Sequence, residues 1–167
     1  MRALRDMNLP KFIKDDERLF RLLLSDLFPS LDLPSSEYGQ LGVAVEAELV
    51  RLNLQKQDFL ISKIFQFYDS RLTRHCNMLV GDPLGGKSTA WKTLAAAQTT
   101  LSKSGSSEFL AVTPFIISPK SIELDELYGA YDLATFEWRD GILSTIFKTC
   151  SEDERAYEKW ILFDGTL

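Results

Sequence analysis

Apolar residues recur at helical spacing three times before residue 75. Leu19, Phe20, Leu22, Leu23, Leu24 and Leu27 follow Asp15, Asp16 and Glu17, acids that suit a helix N-terminus. That helix is apolar on most sides, so neighbours should pack it, and Phe28-Pro29 ends it. Residues 29–36 are a loop by composition. A second helix is expected from Glu37 to Leu54, with Leu41, Val45, Leu49 and Leu52 on one face, although Gly39 and Gly42 weaken its start. A third is expected from about Lys56 to Arg74, with a core-facing stripe of Ile61, Ile64, Phe65, Tyr68 and Leu72. Arg71, Arg74 and His75 suit its C-terminal dipole.

The pattern then changes. Met78 to Val80 is a short apolar run that predicts a buried strand, with Cys76 as a small core residue at its start. An alanine-rich helix is expected from Lys87 to Leu101, and a Ser/Thr/Gly-rich loop over 99–108. Phe109 to Ile117 predicts a strand. Pro114 lacks a ladder donor, so that strand should lie at an edge or be bulged. Ser121 is a fair N-cap for a helix from Ile122 to Tyr128, which Gly129 should stop. Residues 130–141 predict a hairpin-like insert with a turn signal at Asp140-Gly141, followed by a helix from Ile142 to Thr149. After the charged stretch 151–159, Trp160 to Phe163 is a four-residue apolar run ending in Asp164.

Between the first strand and its helix stand Gly81, Asp82, Pro83, Leu84, Gly85, Gly86, Lys87 and Ser88, then Thr89. This is G-x-x-x-x-G-K-S in a strand–loop–helix context, the form of a phosphate-binding loop. Glycines let backbone N–H groups turn inward on a phosphate, and the helix N-terminus adds its dipole. Lys87 can reach the β- and γ-phosphates, and Ser88 can ligate Mg²⁺. The bland alternative is a glycine turn joining a strand to a helix. Asp164 at the end of an apolar strand fits a second Mg²⁺ ligand, with a plain core strand as its alternative. Gly165 follows it, where a hydrolytic enzyme needs a carboxylate base; losing such a base typically costs ~10²- to 10⁴-fold in rate. ATP or ADP with Mg²⁺ is therefore expected to bind with little hydrolysis, and no residue is assigned a catalytic role.

Composition narrows the partners. The 167 residues are 45% hydrophobic and 26% charged with net charge −5, which gives no whole-domain footprint for nucleic acid. No apolar run is long enough to span a membrane, and the charged N-terminus shows no secretory signal. Two cysteines make no disulfide framework, which fits a reducing, intracellular setting. His75, the sole histidine, has no metal-ligand spacing around it.

Several stretches in order, LRDMNLPKFIKDDERLF, LLSDLFPSL, NMLVGDPLGGKSTAWKTLAAA, SPKSIELDELYGAYDLATFEWRDGIL and KWILFDG, resemble dynein heavy chains, the axonemal ones most. They resemble the join of the first and second AAA modules of the motor ring and the nucleotide-binding front of the second. The resemblance implies an α/β fold: an incomplete AAA+ P-loop NTPase three-layer sandwich with a parallel sheet, preceded by an α-helical segment. It implies 1–15 as the end of the preceding lid and linker, 16–75 as the helical part of the module, and 76–167 as the core, truncated after the Walker B strand. Gly81 to Ser88 would wrap the phosphates and Asp164 would be the Walker B carboxylate. Leu27, Phe28 and Pro29 match the segment that lies against the adenine. Arg5 sits where the preceding lid ends, and residues 128–141 match an insert that faces the mechanical linker. The second dynein module is regarded as holding ATP without ordinary hydrolysis, which agrees with Gly165.

The implied partners are the rest of the ring and the linker. Intermediate and light chains and microtubules would be reached through the parent protein, in the cytoplasm and cytoskeleton of a cilium or axoneme; no nucleic acid or membrane is implied. The strand that would lie between the Walker A and Walker B strands comes later in AAA domains than either. The sheet should therefore carry a gap. A stand-alone P-loop ATPase or kinase and a non-binding structural fragment are the competing readings.

Overall fold

The computed structural model describes residues 4–5, 8–29 and 38–165. Most of the expected loop after Pro29 lies outside these. The chain divides into two compact units, Met1–Ala97 and Gln98–Leu167.

In the first unit a 3-10 turn, Leu9–Lys11, touches the third long helix. The helices are α1 (Lys14–Leu27), α2 (Gly39–Arg51), α3 (Asp58–Thr73) and the start of α4 (Lys87–Lys103). Asp15, Asp16 and Glu17 occupy the first turn of α1 as its dipole favours. The expected stripe of α2 forms the core: Leu41, Val45 and Leu49 are essentially inaccessible, as is Ile64 of α3. Each such side chain contributes about 1.5–3 kcal/mol by leaving water. Tyr38, at the head of α2, stacks on Phe65 of α3 with ring centroids 3.8 Å apart. Its hydroxyl donates to Asp69 Oδ2 at 2.7 Å. The first half of α4 adds Ala90, Trp91, Leu94, Ala95 and Ala97 to the buried set.

Three expectations fail in this unit. Of the expected α3 stripe only Ile64 is buried while Leu72 is 63% exposed, and Leu52, past the end of α2, is exposed too. Among the described side chains of α1 only Leu24 is buried, while Leu19, Leu22, Leu23 and Leu27 are exposed. A helix apolar all round needs partners on several sides, and the described residues cover one. The run Met78–Val80 forms no strand, Met78 and Val80 are 86% and 83% exposed, and Cys76 is exposed too. A three-residue extended segment stays unpaired when no neighbouring strand offers it a ladder.

The second unit holds two sheets. β1 (Val112–Ile117) pairs in parallel with β4 (Glu158–Phe163), register Pro114 opposite Trp160. Glu158 N donates to Ala111 O at 2.8 Å, and Asp164 N donates to Ile117 O at 3.1 Å. Val112 N donates instead to the Thr99 hydroxyl at 3.0 Å. Pro114 sits in a strand with one neighbour, as its missing donor requires. The strand begins at Val112 rather than Phe109. Helix and parallel strand together make this an α/β fragment, as the expected fold requires.

The crossover from β1 to β4 carries the rest. A 3-10 turn, Pro119–Ser121, absorbs Ser121, whose N–H and hydroxyl both donate to Ser118 O. Ser121 is therefore not the cap of α5 (Leu124–Tyr128), which starts after Glu123 with no side-chain cap. Gly129 ends α5 at φ +113, and β2 (Gly129–Tyr131) pairs antiparallel with β3 (Trp138–Asp140). The hairpin exists, but its turn is Asp132–Glu137 and not Asp140-Gly141. Asp132 Oδ1 accepts from Ala134 N and Thr135 N, and Phe136 N donates to Asp132 O. An aspartate that caps its own turn outcompetes the Asp-Gly pair. Gly141 serves instead as the N-cap of α6 (Ile142–Glu152), three residues longer than expected.

The link from α6 to β4 is held by charge. Lys159 Nζ donates to Cys150 O at 2.6 Å and to Asp153 O. Arg155 donates to both Asp153 oxygens. These bonds, with one from the Tyr157 hydroxyl, hold the Asp153 carboxyl below the usual carboxylate range.

Candidate nucleotide-binding site

The loop between Val80 and α4 is shaped by its glycines. Gly86 has φ +81, a conformation that costs an L-residue roughly 1–2 kcal/mol. A Cβ on Gly85 would lie 3.0 Å from Asp82 O, the same oxygen that accepts from Gly85 N at 3.0 Å. Ala90 N donates to Gly86 O at 2.8 Å and opens the helical ladder of α4. Lys87, the first residue of α4, curls back. Its ammonium donates to Gly81 O and Asp82 O, each at 2.7 Å. The lysine therefore lies within its own loop, beside the N–H groups that a helix start leaves without intrahelical partners. Ser88 and Thr89 follow half-buried on the first turn, while Asp82, Pro83 and Leu84 are exposed. Leu84 also has positive φ, at +64, and its side chain contacts solvent. These residues fit a polyphosphate: the curl has no room for a side chain at Gly85, and it carries a cation and a helix N-terminus.

Leu27, Phe28 and Pro29 lie at the exposed end of α1, with Phe28 N on Leu24 O. Among the described residues no hydrogen bond joins them to the loop. Arg5 lies half-buried in a helical turn near the start of the first unit.

A family of known proteins, described as "Hydrolytic ATP binding site of dynein motor region", matches residues 1–88. The chain belongs to the dynein motor family. It is 44% identical over 165 residues to human "Dynein axonemal heavy chain 2", covering 99% of this chain and 4% of that protein. It is 42% identical over 167 residues to mouse "Dynein axonemal heavy chain 3", covering 100% and 4%. A Chlamydomonas reinhardtii relative, "Dynein-1-beta heavy chain, flagellar inner arm I1 complex", is 44% identical over 168 residues, covering 99% and 4%. The chain thus spans about 4% of the length of these dynein relatives. As a piece of a dynein motor AAA region it carries a nucleotide-binding site. The family match ends at Ser88 and does not reach the acid of the second unit.

In that second unit of the dynein segment, Asp164 stands one residue past β4 with its carboxylate exposed. Its N–H extends the ladder to Ile117. A Cβ at Gly165 would lie 3.2 Å from Ser118 Oγ, so position 165 faces the Ser118-Pro119 turn at the end of β1. Sequence reasoning missed this neighbour. Its only signal was a Ser-Pro pair following an apolar strand.

Proposed function

We propose that this segment is the front of the second AAA module of a dynein heavy chain, joined to the end of the first, and that it holds Mg-ATP or Mg-ADP with little or no hydrolysis. The observation that carries the reading is the loop Gly81–Ser88 curled around the Lys87 ammonium at the start of α4. Gly81, Asp82, Pro83, Leu84, Gly85 and Gly86 cradle the phosphates with backbone N–H groups. Lys87, which starts α4, neutralises them, and Ser88 and Thr89 follow in the first turn beneath them. Ser88 and Asp164 are the residues that would hold Mg²⁺, which would supply charge neutralisation when bound. Leu27, Phe28 and Pro29 are the adenine-side residues. Gly165 offers no base to a water, so the bound nucleotide serves as a structural tie and a regulatory signal.

The parent protein is then a microtubule motor of the cytoskeleton, in a cilium or axoneme. The rest of its ring and its linker are the immediate partners of this segment; intermediate chains, light chains and microtubules belong to the whole molecule. The test is nucleotide retention by the heavy-chain motor region with every other nucleotide site disabled. One nucleotide should be retained per chain and released by Lys87→Ala, with turnover far below that of a hydrolytic module. Equal retention with and without Lys87 would rule out the loop, and ordinary turnover would rule out the storage role.

A further inference from the structure

The last glycine of the phosphate loop has no conformational preference of its own. Glycine takes φ above and below zero about equally, so the curl at Gly86, φ +81, has to be held from outside. Much depends on that curl. Gly86 O accepts from Ala90 N at 2.8 Å and opens the ladder of α4, and Lys87 follows directly.

Leu60, the third residue of α3, supplies the hold. A Cβ placed on Gly86 would lie 3.5 Å from Leu60 Cδ1. Beyond the chain neighbours of Gly86 and its own helix, no other described atom comes within 4 Å of that place. Leu60 and Gly86 are both half-buried, whereas residues 81–85 of the loop are exposed. Leu60 stands one turn before the inaccessible Ile64, so the two share a face of α3. Helix α3 is in turn fixed to the head of α2, through the stack of Tyr38 on Phe65 and the bond from Tyr38 to Asp69. The packing of the helical core therefore reaches the phosphate loop through one leucine side chain.

We propose that Leu60 is a positioning residue for nucleotide binding: it props Gly86 at positive φ and keeps the loop curled before the ligand arrives. It touches no phosphate and lies outside the motif, 26 positions upstream of the glycine it holds. The proposal rests on the reading of Gly81–Ser88 as a nucleotide site. A loop that is curled only part of the time binds with its affinity reduced by that fraction. Truncating Leu60 frees Gly86 to both signs of φ and leaves the curled form as a minor one.

The test uses the heavy-chain motor region with every other nucleotide site disabled, and fluorescent ATP with Mg²⁺ as the probe. Leu60→Ala should raise Kd about tenfold, while Leu60→Met, which keeps an apolar chain of similar volume, should stay within about threefold of the unsubstituted protein. Phe59→Ala is the control. Phe59 is 68% exposed with Lys63 over its ring at 5.6 Å, and its loss should leave Kd unchanged. Hydrogen exchange without nucleotide is read by mass on two peptides, one spanning the loop and one from the core of α2. Leu60→Ala should speed the first and spare the second. An unchanged Kd, a loop peptide that exchanges no faster, a tenfold loss with Leu60→Met as well, or an α2 peptide loosened to the same extent would each overturn the proposal. A motor region that binds no fluorescent ATP with Leu60 in place would instead defeat the nucleotide reading, and exchange of the loop peptide would then decide for or against the prop.

Discussion

At residue scale the phosphate loop depends on a few atoms. Lys87 makes two charge-assisted hydrogen bonds inside its loop, and on the proposed reading the same ammonium would serve a bound phosphate. Lys87→Ala should weaken nucleotide binding by about 2 kcal/mol, roughly thirtyfold, measured by titration with a fluorescent nucleotide. The loop's curl was legible in the sequence because it is local, set by eight consecutive residues, but the strand expected before it does not form. The surroundings of Gly165 were not, since Ser118 lies 47 positions away and meets it only through the β1–β4 pairing. Asp153 gives a second prediction at this scale. Its folded-state value lies below the unfolded one, near 3.8, so its contribution is complete above that value and disappears as pH falls through the lowered one. A carboxyl-detected NMR titration should place its inflection below 3.8, and Arg155→Ala should move it upward.

Among the elements, α2 shows how periodicity translates into energy. Leu49 is inaccessible whereas Val43, on the opposite face, is 73% exposed. Leu49→Ala should destabilise by about 2–5 kcal/mol and Val43→Ala by less than about 0.5 kcal/mol, compared by chemical denaturation. Apolar spacing revealed α2, which buries Leu41, Val45 and Leu49; it gave the existence of α3, whose stripe buries Ile64 alone and leaves Leu72 63% exposed. It misjudged α1, whose leucines point several ways while the described residues supply a single partner surface. The hairpin was visible from its aromatics, but its turn was misplaced because Asp132 and Asp140-Gly141 are both turn signals, and only the Asx bonds distinguish them. Gly129→Ala meets Arg139 O and Trp138 at φ +113. It should loosen the hairpin and raise its cleavage rate in limited proteolysis.

For the whole molecule, the two long strands, the helices between them and the preceding helices could be anticipated from apolar runs and breakers, whereas the parallel pairing was implied only by the resemblance to dynein heavy chains. The unpaired state of Met78–Val80 could not, because a three-residue run says nothing about whether a partner strand is present. Ligand should compensate in part. At a hundredfold excess over Kd, Mg-ATP should add about 2.7 kcal/mol of stability, seen as a rise in melting temperature that Lys87→Ala should cut to about a third at the same ligand concentration.

Pro114 has one more effect at this scale. Ala111 and Ile117 turn their carbonyls toward β4, so by alternation residue 114 faces the opposite margin of β1. At that margin Val112 has already given its N–H to Thr99, and proline has none to give. That margin therefore offers an incoming strand carbonyls but few N–H donors, whereas β4 contains no proline. The sheet is built to be enlarged in one direction. Replacing Pro114 with valine should open the sealed side and show itself as faster self-association in light scattering.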